Sequence, residues 1–96
     1  MGNYLKFTTI IGLEITEKQE EMVESKLSVV RSAETEKLYA GVTLSSQDEM
    51  SDIEECKHSF EELNKLAKKV KMIYEETFGA EIELDKIQLI NLVEVY

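Results

Sequence analysis

The stretch Asp48–Phe78, DEMSDIEECKHSFEELNKLAKKVKMIYEETF, contains no proline or glycine, and how it is read decides the fold. Paired charges recur in it every seven residues, at Glu54-Glu55, Glu61-Glu62, Lys68-Lys69 and Glu75-Glu76. A recurrence of that period marks one solvated helix face. Ile53, Cys56, Phe60, Leu63, Ala67, Val70 and Tyr74 follow the complementary three-and-four spacing, and Leu66 and Ile73 widen that stripe. So broad a stripe suits packing against a sheet or several helices better than a narrow two-stranded seam. The sequence therefore predicts one long helix over 48–78. Ser51 or Ser46 would cap its start, and Gly79 would supply the left-handed residue that closes it. Asp48, Glu49 and Asp52 would set negative charge against the positive end of the helix dipole. Lys65 is in reach of both Glu61 and Glu62 for ion pairs of roughly 0.2–0.5 kcal/mol each. At about 1.5 Å per residue such a helix would overhang a compact chain of this size, leaving Val70, Ile73, Tyr74 and Phe78 near the overhang.

Before this stretch, Leu5, Phe7, Thr9, Ile11, Leu13 and Ile15 alternate with Lys6, Thr8, Gly12 and Glu14, which predicts a long strand over Tyr4–Ile15 with one buried face. Ile10, on the other face, indicates that this side is also partly covered. Thr16-Glu17-Lys18-Gln19 matches a capping box and favours a short helix, with a strand from about Lys26. The alternation around Val23, Leu27 and Val29 allows a strand over Met22–Ser32 instead. Lys37–Ser45 reads as the next strand, hairpin-paired with the one before it. Gly12 and Gly41 fall inside strands, where a bulge or a close backbone approach is the usual meaning.

After Gly79, Glu81–Leu84 alternates, and Ile87–Tyr96 is apolar on both faces. Such a run predicts a strand in the middle of the sheet or one covered by a subunit contact. The expected fold is α+β: an antiparallel sheet of about four strands packed on one long helix. With the short helix formed, the element order is the ferredoxin-like one; with a turn there, it is a meander closed by a helix and a final strand.

The chain has 96 residues, enough for one domain spanning 1–96. Its formal charge of −9, from twenty acids and eleven bases, opposes direct binding to nucleic acid or to anionic membranes. One cysteine cannot form an intramolecular disulfide, which favours a cytoplasmic protein. Met1–Lys6 lacks the profile of a signal peptide and leads straight into strand alternation. No apolar run approaches the ~20 residues that span a bilayer.

Cys56 and His58 are the only members of their types. Placed on a helix they would diverge by about 200°, so neither a shared metal nor a nucleophile–base pair is expected. Cys56 reads as a buried, inert thiol within the apolar stripe. Glu55 and His58 have the Glu-x-x-His spacing of di-iron bundles, but the second motif and the further carboxylates are missing. There is no Gly-rich phosphate loop, no Ser-His-Asp set, no zinc spacing and no calcium loop. Neither catalysis nor a cofactor or metal is expected.

Asp48, Glu49, Asp52, Glu54, Glu55, Glu61 and Glu62 instead form a ridge of carboxylates that could attract a basic partner. Tyr74 and Tyr96 are candidate interface anchors, because tyrosine is enriched at interface hot spots. The preferred expectation is a small acidic protein-binding module: an inhibitor, an immunity or antitoxin-like factor, or a phage-encoded antagonist. Its ridge would face a basic, nucleic-acid-binding surface of another protein. The alternatives are a protein that self-assembles through the helix overhang and last strand, and a small-molecule-binding domain using the sheet face.

Overall fold

A computed structural model describes residues 4–48 and 55–95. The elements run β1 (Leu5–Ile15), α1 (Glu17–Val23), β2 (Ser28–Arg31), β3 (Leu38–Asp48), α2 (Phe60–Phe78), a 3-10 turn at Leu84–Lys86, and β4 (Gln88–Val95). The four strands form one antiparallel sheet in the order β2-β3-β1-β4.

The capping box decides residues 16–23. Gln19 donates its main-chain N–H to Thr16 Oγ1 (3.3 Å), and Thr16 N–H is received by Gln19 Oε1 (2.9 Å). Two otherwise orphaned donors are thereby satisfied, and α1 forms in place of the alternative strand.

The long helix is corrected. α2 begins at Phe60, with Ser59 Oγ accepting from Glu62 N–H (3.1 Å). Asp48 is a strand residue opposite Lys6, because the β1–β3 ladder continues three residues past the expected end of β3 at Ser45. Residues 55–59 are irregular, and the expectations for Glu49, Ser51, Asp52, Ile53 and Glu54 lie outside the described residues. At Asp48 ladder bonds to β1 outweigh a local helix preference worth tenths of a kcal/mol per residue, and at the other end the Ser59 cap sets where α2 begins.

From Leu63 onward the stripe behaves as read. Val70 is fully buried, and Leu63, Leu66, Ala67, Ile73, Tyr74 and Phe78 pack on the core of Ile11, Leu13, Ile15, Leu38 and Ala40. The expected overhang at Val70–Phe78 is absent, since a helix of 19 residues is only about 28 Å long. Gly79 closes α2 at φ 66°, its N–H donating to Glu75 O (2.8 Å). Glu75 then ties the following segment down, its Oε2 accepting from Ile82 N–H and from Lys71 Nζ, both at 2.9 Å. Glu81–Leu84, which alternates like a strand, is irregular up to the 3-10 turn.

β4 is an outer strand, which corrects the expectation of a central one. One of its two apolar faces, that of Ile90 and Leu92, is covered because the sheet is curled. Ala33, two residues past the opposite outer strand, donates its N–H to Val93 O at 2.7 Å. A flat four-stranded sheet would hold its outer strands about 14 Å apart. Curling encloses a second core on the concave face, with Ile10 at 0% exposure beside Val30 and Leu92 and with Tyr39 and Ile90 against them.

The β2–β3 turn that reaches across is tight. Glu36 adopts φ 61°, its carbonyl accepts from Arg31 Nη1 (2.7 Å), and its N–H donates to Ser32 O (2.8 Å).

Candidate protein-binding surface

Successive side chains of a strand point to opposite faces, so the odd residues of β1 face the helices and the even ones face the concave side. Along the helix side, Ile11, Leu13 and Ile15 are buried under α1 and α2. The first half of the same row is not: Leu5 is 36% exposed and Phe7 50%. The ladder places Val95 opposite Leu5 and Val93 opposite Phe7. Val95 (49%) and Leu89 (55%) are exposed on this face too. One turn before Leu63, on the sheet-facing stripe of α2, Phe60 is 90% exposed. Five large apolar side chains therefore stand in solvent: Leu5, Phe7 and Val95 around the end of the sheet that α2 does not reach, Phe60 at the start of α2, and Leu89 opposite Ile11. This corrects the expected continuous buried row from Leu5 to Ile15 and the burial of Phe60.

Between that region and α2 lies an open cleft of about 260 Å³, lined by Thr9, Leu44, Ser45, Cys56, His58, Leu63 and Leu89. Cys56 is exposed, not buried in a helical stripe, because residues 55–59 are not helical. For the same reason Cys56 and His58 do not diverge around a helix, and both line this cleft. His58 Nδ1 is 3.3 Å from Glu62 Oε1. Among the described residues no group of three or more His, Cys, Asp or Glu side chains could hold a metal ion. A second cleft, of about 220 Å³, sits where the β2–β3 turn meets β4, between Ser32 and Glu34 on one side and Phe7, Thr8, Thr9, Asn91, Leu92 and Val93 on the other.

The carboxylate ridge does not survive as one helix face. Asp48 is on β3, Glu55 lies in the irregular segment, and only Glu61 and Glu62 are on α2. Glu55 and Glu61 each have a lysine beside them, Lys57 at 3.5 Å and Lys65 at 3.6 Å, and Glu62 has the ring of His58 at 3.3 Å. Lys65 thus pairs with one of its two candidate glutamates. Glu49, Asp52, Glu54 and Tyr96 lie outside the described residues. Tyr74 is a half-buried core-edge residue: its hydroxyl accepts from Gln19 Nε2 (3.4 Å), and its ring lies 4.7 Å from that of Phe78.

No protein-family model, curated protein or solved structure matches the chain. Among the described residues no helix is long and apolar enough to cross a membrane.

Sequence reasoning missed Leu5, Phe7, Phe60, Leu89 and Val95 as surface residues. The available signal was the two-sided apolar run at the C-terminus, which marked β4 as a strand needing cover on both sides.

Proposed function

We propose that this protein acts by occupying another protein, as an inhibitor, an immunity or antitoxin-like factor, or a phage-encoded antagonist, and that it is not an enzyme. The observation that carries this is the group of exposed apolar side chains, Leu5, Phe7, Phe60, Leu89 and Val95. Large apolar side chains left in solvent on a small chain are costly in water unless a partner covers them. The formal charge of −9 favours a partner with a basic surface and accelerates its encounter. The carboxylates around the start of α2 act as a polar rim, because local ion pairing leaves them little net field of their own.

The fold that goes with this function is the ferredoxin-like β-α-β-β-α-β arrangement, in one domain, with the sheet presenting its uncovered end. The protein would work in the cytoplasm and without a cofactor.

The test is affinity capture of the tagged chain from lysate of its native cells, with wild type and the double variant Phe7→Ser, Leu89→Ser compared at low salt and at roughly 0.5 M salt. A stoichiometric protein held by wild type at high salt and lost by the variant is the expected result. Capture of nothing but the chain itself refutes the proposal. A partner released by salt alone would return the role to the carboxylates.

A further inference from the structure

We propose that the outer edge of β4 accepts an extended segment of another protein as an added strand. The inference rests on the protein-binding function and specifies how the partner docks.

β4 is the outermost strand of the sheet. In an antiparallel ladder alternate residues turn both main-chain groups toward the neighbour, and the residues between them turn both groups away. The bond from Ala33 N–H to Val93 O fixes which are which. Leu89, Asn91, Val93 and Val95 point outward, while Gln88, Ile90, Leu92 and Glu94 face β1. Among the described residues, the Ala33–Val93 bond is the only one made on that outer edge.

The two edges of this sheet are treated differently. β2 has four residues and ends at Arg31, which is ion-paired with Glu17. Short length and an edge charge are how a sheet refuses a further strand. β4 has eight residues, with no lysine, arginine or proline and with a continuous register against β1. Its one charged residue, Glu94, does not guard the edge, because its carboxylate accepts from Thr8 Oγ1 at 2.6 Å.

Both clefts border this strand, one at Leu89 and the other at Asn91–Val93. Leu89 and Asn91 are two residues apart, roughly 6.8 Å along a strand, which is also the distance between alternate side chains of an added strand. Main-chain bonds would supply affinity, and side chains seated in the clefts would supply selectivity.

A second copy of the chain fits less well. It would bring another charge of −9 and another β2–β3 turn to an edge already narrowed by that turn at Val93. The partner that fits is a single extended segment with apolar side chains at alternate positions and neutral or basic flanks.

The test uses the full chain and short random peptides displayed on phage, with the selected peptide synthesised as the probe. Amide exchange followed by NMR should show Leu89 and Asn91 slowed by roughly tenfold or more on peptide addition, while Ile90 and Leu92, already bonded to β1, stay unchanged. N-methylation of alternate peptide residues should abolish binding in one parity only. Asn91→Pro removes an outward N–H without breaking a main-chain bond to β1, and should weaken peptide binding by roughly tenfold or more, whereas Asn91→Ala, which loses only the bond that the side chain accepts from Thr9 Oγ1 (2.6 Å), should not. Should that variant fail to fold, Leu89→Lys places a charge on the edge and should weaken binding similarly.

Failure to select any peptide, protection of amides elsewhere, or indifference to N-methylation would each overturn the inference. So would slowing of Leu89 and Asn91 with protein concentration alone, which would name a second copy as the occupant. A native partner lost by the Phe7→Ser, Leu89→Ser variant but retained by Asn91→Pro would leave the protein-binding function standing and remove strand addition.

Discussion

Gly12 and Gly41 face one another across β1 and β3, so closely that neither position has room for a methyl group. A Cβ on Gly12 would lie 2.1 Å from the carbonyl oxygen of Ala40, and one on Gly41 would lie 2.0 Å from that of Ile11. The obstacle is backbone in both cases and cannot rotate aside. The two longest strands of the sheet run side by side here with no side chain on either residue of the pair. Either Gly12→Ala or Gly41→Ala is expected to destabilise the protein by about 3 kcal/mol or more, or to prevent folding. Urea denaturation of the two variants checks this, and a loss below about 1 kcal/mol would show that the strands can part cheaply.

Ser59, not Ser46 or Ser51, caps α2. Ser59→Ala should cost about 1 kcal/mol and fray the first turn around Glu61 and Glu62. Ser46 lies in β3, with its hydroxyl 3.4 Å from Thr8 Oγ1, so Ser46→Ala should leave helical circular dichroism unchanged. The reverse pattern would restore the longer helix.

The carboxyl of Glu75 is held below the ordinary carboxylate range, first by the hydrogen bond from Ile82 N–H and then by the one from Lys71. A folded-state pKa below the unfolded one means that these contacts stabilise fully above the unfolded value. Their contribution is lost as pH falls through the folded value. Glu75→Gln should therefore have a lower urea midpoint at neutral pH and a shallower loss of stability on acidification than wild type. Parallel pH profiles for the two proteins would contradict the contact.

Cys56 is exposed on the wall of the cleft beside His58. Native protein should react fully with an aromatic disulfide reagent without denaturant, as an accessible thiol does. A partner or peptide seated at Leu89, on the same cleft, should slow that reaction. A thiol that reacts only after unfolding would return it to the buried stripe.

The left-handed backbone of Glu36 carries a steric cost that glycine or asparagine avoids. Glu36→Asn should raise stability by up to about 1 kcal/mol while keeping the bond from Ala33 to Val93, as read from amide exchange at Ala33. A loss of stability would mean that the side chain of Glu36 contributes more than its backbone costs.

The exposed surface was the part hardest to read. Leu5 and Phe7 share a parity and a composition with Ile11 and Ile15, and nothing in that row tells which half a helix will cover. Coverage depends on where α2 starts, and charge periodicity placed that start about three turns too early. β4 shows the same difficulty: apolar residues on both faces are equally compatible with a central strand and with an outer strand whose sheet curls over it.

What the sequence determined by itself was local. Alternation named the strands, the Thr16–Gln19 box favoured α1 over a strand, Gly79 ended α2, and two strand glycines marked a bulge or a close approach. Each of these follows from backbone sterics or from hydrogen bonds a few residues apart, and such causes are written in neighbouring letters. The tertiary structure alone decided that β3 runs to Asp48, that the sheet curls until Ala33 meets Val93, and that one end of its helix side stays in solvent. Those outcomes depend on ladder bonds and burial between residues as many as ninety positions apart, Leu5 and Val95 being the farthest. Their energies outweigh local preference, and no stretch of the chain carries them alone.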